Sequence, residues 1–364
     1  MPTELPLLLR ALRAPGQLAG LSPAQWDALL RQAEAANLLP TLHDVLARHG
    51  VLDSVLPAAR EQLAWGAVLA RRHGQATYWE IRLVGQVLAE IGVPLLLLKG
   101  AAYFAAGLPP AAGRLFADID ILVPEERLAD VEAALMRAGW AGLHQDAYDQ
   151  RYYREWMHEL PPMQHVLRQT AIDVHHAILP RTARQRPDSG LLRAAAVALA
   201  EPPGAAILAP HDMLLHSATH LFADGEFDKG VRDLWDVHCL LCHFGGDPAF
   251  WDGLPARARA LQLERFLFYA LRYSERLLGT PVPPSVHAAL ADAAPPAPLL
   301  AVMDALFGSA LLPHHRSCRG ALAGVADFLL YVRGNWLRMP PLRLARHLFH
   351  KAFLTPKKPR EAAA

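Results

Sequence analysis

Asp118-Ile119-Asp120-Ile121-Leu122-Val123 alternates two carboxylates with aliphatic residues. That is the period of a β-strand, whose successive side chains point to opposite faces. Asp118 and Asp120 therefore leave the strand on one face, while Ile119 and Ile121 can be buried on the other. Two acids held side by side on a rigid element repel each other, and a shared divalent cation relieves that repulsion. Metal-assisted phosphoryl chemistry uses such a pair. Taken alone, such a pair is more often solvated acids at a strand end, so its neighbours have to decide.

On the N-terminal side, residues 93–98 (Val-Pro-Leu-Leu-Leu-Leu) form a short aliphatic run flanked by Gly92 and Pro94, which reads as a buried strand. Residues 100–106 suit a helix and 107–113 a Pro/Gly/Ala loop. On the C-terminal side, 124–140 carries Leu128, Val131, Leu135 and Met136 at helical spacing. Over 164–178 the pattern returns to strand. Ile172 and Val174 flank Asp173, and a turn near 168–170 would make a hairpin. The first 90 residues read as helices. Ser22, Pro23 and Gln25 form a helix start, and a long pattern from 57 to 91, as one helix or several, stops at Gly92 and Pro94. After Pro180 everything reads as helix, through 210–222, 227–243, 249–261, 265–278, 298–311 and 321–354, the last broken at Pro340-Pro341. The expected class is α+β: a small mixed sheet flanked by helices. The expected division is an N-terminal helical segment (1–90), an α+β core (91–180), a C-terminal helical domain (181–356) and a disordered tail (357–364).

With 52% hydrophobic and 20% charged residues among 364, the chain can build substantial cores. A net charge of +1 gives no whole-molecule case for coating nucleic acid or a membrane surface. Three cysteines (Cys239, Cys242, Cys318) are too few for a disulfide framework and fit a reducing cytosol. The N-terminus has no signal-peptide layout, and no run of about 18 uncharged apolar residues occurs. A cytoplasmic protein without membrane insertion is expected.

In chain order, Leu98-Lys99-Gly100-Ala101, Arg114, Asp118-x-Asp120 and Ile172-Asp173-Val174 resemble the polymerase-beta-like nucleotidyltransferase superfamily, and more narrowly the uncharacterised nucleotidyltransferase family proteins. The resemblance spans roughly residues 90–180. It implies transfer of a nucleoside monophosphate from an NTP, ATP favoured, to a hydroxyl, with pyrophosphate released and Mg²⁺ or Mn²⁺ required. It implies that Asp118, Asp120 and Asp173 are catalytic and hold the metal, with Asp173 on a second ion or receiving the hydroxyl proton. Lys99, Gly100, Ala101 and Arg114 would bind the nucleotide: Gly100 by close backbone approach at a helix start, Lys99 and Arg114 by charge. A small molecule, peptide, protein or RNA would all fit as acceptor.

One residue departs from the superfamily pattern. Its turn usually carries Gly followed by Gly or Ser, and here Gly100 is followed by Ala101. That motivates an alternative, a catalytically degraded transferase acting as a nucleotide-binding or regulatory module. Arg232 and His238 match the Arg-x(4–6)-His spacing of HEPN-type ribonucleases, a third reading. Walker A and dinucleotide fingerprints are absent. His175 and His176 read as structural or supporting residues, and His216 with His220 as satisfied histidines. The segment 238–243 reads as buried cysteines in a helix. The basic stretch 343–358 fits either a solvated helix face or a patch for an anionic acceptor.

Overall fold

Asp118–Leu122 (β2) forms as the alternation predicts and becomes a central strand of a seven-stranded sheet. The computed structural model describes residues 5–18, 20–143, 146–340 and 344. The other strands are Leu95–Leu97 (β1), Trp140–Gly142 (β3), Met163–His165 (β4), Ala171–His175 (β5), Val197–Ala198 (β6) and Ala205–Ile207 (β7). Their spatial order is β3-β4-β5-β2-β1-β7-β6. β2 pairs parallel with β5 and β1 parallel with β7, and the remaining pairs are antiparallel. The expected α+β class with a small mixed sheet flanked by helices is the class observed.

The 57–91 pattern is one unbroken helix, Pro57–Glu90, and Gly92 follows at φ +67°. The Ser22 capping box forms with both of its reciprocal hydrogen bonds. The β4–β5 hairpin turns at 166–170, where Gln169 takes a left-handed φ of +59°.

The all-helical reading after Pro180 needs correcting. β6 and β7 lie there, and β7 extends the sheet by pairing parallel with β1. Three residues, Ala-Ala-Ile, carry no period a sequence reading can use. Their strand state is decided by the open edge of β1 rather than by propensity. The helices Pro210–Ala223, Gly230–Phe244 and Glu264–Leu278 then pack together. One continuous apolar core runs from Leu8 through the sheet to Leu330. Of the expected 321–354 stretch, Ala323–Arg338 is helical and ends just before the expected break at Pro340-Pro341, while the basic stretch 343–358 (residue 344 apart) and the tail 357–364 lie outside the described residues. Among the described residues no helix is long and apolar enough to cross a membrane.

Candidate active site

Parallel pairing in register sets Asp120 beside Asp173 and Ile119 beside Ile172. Adjacent strands lie about 4.8 Å apart and side chains alternate, so Asp118, Asp120, Asp173 and His175 share one face. The partners Ile119, Ile121, Ile172 and Val174 are buried. His176 turns the other way, toward Glu125 and Arg181.

Asp120 is 5% exposed and its Oδ1 accepts twice, from Lys99 Nζ at 3.1 Å and from His175 Nε2 at 2.9 Å. Burial alone would raise the Asp120 carboxyl. The Lys99 ammonium and the His175 bond outweigh it and hold the carboxyl well below its usual range. Reciprocally, burial disfavours the charged forms of Lys99 and His175, but the acids around them raise both. His175 Nδ1 faces Glu159 Oε2 at 3.2 Å. Asp118 is pushed up by burial and by the charge of Asp120. Asp173 is pushed up to about 7 by burial, then by Asp120 and Glu159. Two acids of one face are thus short of compensating charge.

The Lys99-Gly100 turn opens the short helix Lys99–Ala105. Leu98 N–H donates to Asp120 C=O at 2.9 Å, locking the turn to β2. Lys99, not Gly100, takes the left-handed backbone, at φ +43°. A Cβ on Gly100 would meet Phe116 Cδ1 at 2.6 Å and Arg114 Nε at 3.0 Å. The missing side chain at Gly100 is therefore room for Phe116 and Arg114. Ala101 is 1% exposed and lines neither of the cavities described below. A hydroxyl there would enter the core.

Arg114 is buried, its guanidinium in a short contact with Asp236 and over the Tyr103 ring at 5.7 Å. Its role is divided: it lines a cavity, but one nitrogen is already committed to Asp236, and Nε is buried with no hydrogen-bond partner among the described residues.

Two cavities meet at the acids. The larger, about 410 Å³, is lined by Lys99, Gly100, Arg114, Phe116, Lys229 and Arg232 along with acids of the Gly230–Phe244 helix. The smaller, about 240 Å³, is lined by His158, Glu159, Asp173, His175, Thr219 and Arg338, among others. Asp118, Asp120, Lys99, His220 and Asp224 line both.

Sequence reasoning missed Glu159, Lys229, Asp233 and Asp236, and took His220 as merely satisfied. Asp233 and Asp236 stand one helical turn apart beside Arg232, a spacing that was legible. Glu159 had no such signal, because it follows a π-turn, Tyr152–Trp156, and reaches the site through a bridge to His175. His220 is held neutral, down to about 4, first by burial and then by Lys99.

Arg232 and His238 are not brought together. Arg232 pairs with Asp233 and lines the larger cavity, whereas His238 bonds Thr280 at 2.8 Å and lines neither cavity. The ribonuclease reading loses its geometry. Cys239 is buried, as expected, but Cys242 is exposed, one helical turn on, so the reading of 238–243 as buried cysteines is corrected for Cys242.

A glycine-bearing turn between two strands, a pair of acids on the second and a third acid in register beside them are thus brought together on one face of the sheet. A family described as "Uncharacterised nucleotidyltransferase" matches residues 22–279, and the chain belongs to that family. The match spans more than half of the chain and both sides of the sheet. No curated protein and no solved structure matches. The protein is a nucleotidyltransferase, the general activity being transfer of a nucleoside monophosphate.

Proposed function

We propose that the protein transfers a nucleoside monophosphate from an NTP, with ATP favoured, to a hydroxyl of a small molecule, peptide, protein or RNA. The single observation that carries this reading is that Asp118 and Asp120 form the shared wall of the two cavities. The larger offers Lys99, Arg114, Lys229 and Arg232 to a triphosphate, and the smaller offers Asp173 to an acceptor. Reaction would occur at the wall.

The donor set fits Mg²⁺ or Mn²⁺. Asp118, Asp120 and Asp173 supply hard oxygens, and Asp118 and Asp173 are raised by burial and then by the neighbouring acids, a repulsion that a cation relieves. When bound, such an ion neutralises phosphate charge and makes the acceptor hydroxyl more acidic. Lys99 and His175 hold Asp120 ionised and fixed. Where it is not engaged by a second ion, Asp173, near 7, is suited to accept the hydroxyl proton at neutral pH. The acceptor oxygen bonds to the α-phosphorus, the bond to the β-phosphate oxygen breaks, and pyrophosphate leaves. The buried Ala101 gives the degraded-module alternative no support, because its side chain faces away from both cavities.

Purified protein with Mg²⁺ and α-labelled ATP, offered cell extract as acceptor, is expected to give a labelled product that Asp120→Asn loses. Undiminished labelling by that variant would remove the site assignment.

A further inference from the structure

A second cluster of ligating atoms stands beside the aspartates, and the transfer chemistry uses only one of its three residues, His175, through the nitrogen that bonds Asp120. His158, Glu159 and His175 each present one donor atom, and these atoms lie within 4.8 Å of one another. Asp118, Asp120 and Asp173 form no group that tight. The three cluster residues line the smaller cavity and not the larger one.

The bonding around the cluster prepares it for a metal. His175 donates through Nε2 to Asp120 Oδ1 at 2.9 Å, which leaves Nδ1 to face Glu159 Oε2 at 3.2 Å. A carboxylate bonded behind a histidine orients its free nitrogen and raises its basicity, as second partners of metal ligands do. Two ligands on one tetrahedral Zn²⁺ stand about 3.4 Å apart, given bonds near 2.1 Å. The His175–Glu159 separation is already close to that. Nδ1 of His158 is buried with no hydrogen-bond partner among the described residues. The His158 and His175 rings are tilted by 32° with centroids 5.3 Å apart, so they do not close over each other.

We infer that His158, Glu159 and His175 form a site for a borderline divalent cation, Zn²⁺, separate from the aspartate pair and open toward the acceptor cavity. Two imidazoles and one carboxylate are the donor set of Zn²⁺ sites that keep an open fourth position, whereas Mg²⁺ takes oxygen. Binding releases any Nδ1 proton of His175 to solvent, while the Nε2 proton stays on the ring in its hydrogen bond to Asp120. The fourth position then faces the cavity, where water or an acceptor oxygen can occupy it. The site stands on its own geometry and does not require that the transfer reading be right.

The test is calorimetric titration of the EDTA-stripped full chain with Zn²⁺, in excess Mg²⁺ so that the aspartates are covered. One equivalent is expected to bind in the wild type. His158→Ala and Glu159→Gln should each weaken it by at least about tenfold, while Asp118→Asn and Cys242→Ser keep it. Co²⁺ in place of Zn²⁺ should give visible d–d bands that His158→Ala loses. Circular dichroism of each variant separates lost ligation from lost folding. Zinc binding unchanged in both His158→Ala and Glu159→Gln would overturn the assignment. So would binding abolished by Asp118→Asn, which would put the ion on the aspartates, or by Cys242→Ser, which would put it beside His238.

Discussion

Replacing Asp173 by Asn should make the protein more stable at alkaline pH while removing its activity. In the fold the Asp173 carboxyl is pushed up from 3.8 to about 7 by burial and by the charges of Asp120 and Glu159. A raised acid means the folded chain keeps a proton that the unfolded chain has lost. The penalty is therefore absent below about pH 4, grows as pH rises through the window from 4 to 7, and is complete above it. Three units correspond to about 4 kcal/mol, and water at the cavity mouth reduces this to roughly 2–4 kcal/mol. For 364 residues the unfolding entropy is about 0.8 kcal/mol per kelvin, so the gain is about 3–5 °C in Tm. Thermal denaturation of wild type and Asp173→Asn in EDTA, from pH 4 to pH 8.5, is the assay. The two curves should converge near pH 4 and separate steadily above it. A variant equal to or less stable than wild type at pH 8, or a gap that ignores pH, would refute the electrostatic account of this carboxyl.

Two other substitutions probe the walls of the larger cavity. Gly100→Ala drives a Cβ to 2.6 Å from Phe116 Cδ1, an overpacking that should cost about 1–3 kcal/mol in urea denaturation; adding Phe116→Ala should restore most of it. Arg114→Met leaves Asp236 buried without its partner, and equilibrium unfolding should show a loss of about 3–5 kcal/mol that Asp236→Asn partly repairs.

The parts of this molecule that were legible in the sequence are those set by local periodicity. Asp118-x-Asp120 and Asp173 sit on the strands their alternation predicts, side by side because hydrophobic partners on the opposite face fix the register. Gly92 and Pro94, and Ser22 with Gln25, mark helix boundaries that the fold observes. Periodicity does not carry pairing between distant elements. β7 is a strand only because β1 has an open edge, and Asp236 matters only because Arg114 folds against it across 122 residues. At the Lys99-Gly100 turn the lysine takes the left-handed backbone, and the glycine makes room for two side chains that arrive from 114 and 116, neither of which a local pattern shows. Ala101 looked like a defect because the turn was read without its burial.

The central claim is that the α-phosphorus, at the wall between the two cavities, is the atom attacked. It is tested most directly by offering the protein, with Mg²⁺ and an extract fraction containing the acceptor, either α-labelled or γ-labelled ATP. The account predicts label in the product from α-labelled ATP alone, with the γ-label recovered as pyrophosphate. Product carrying the γ-label would mean phosphoryl transfer instead, and would contradict it.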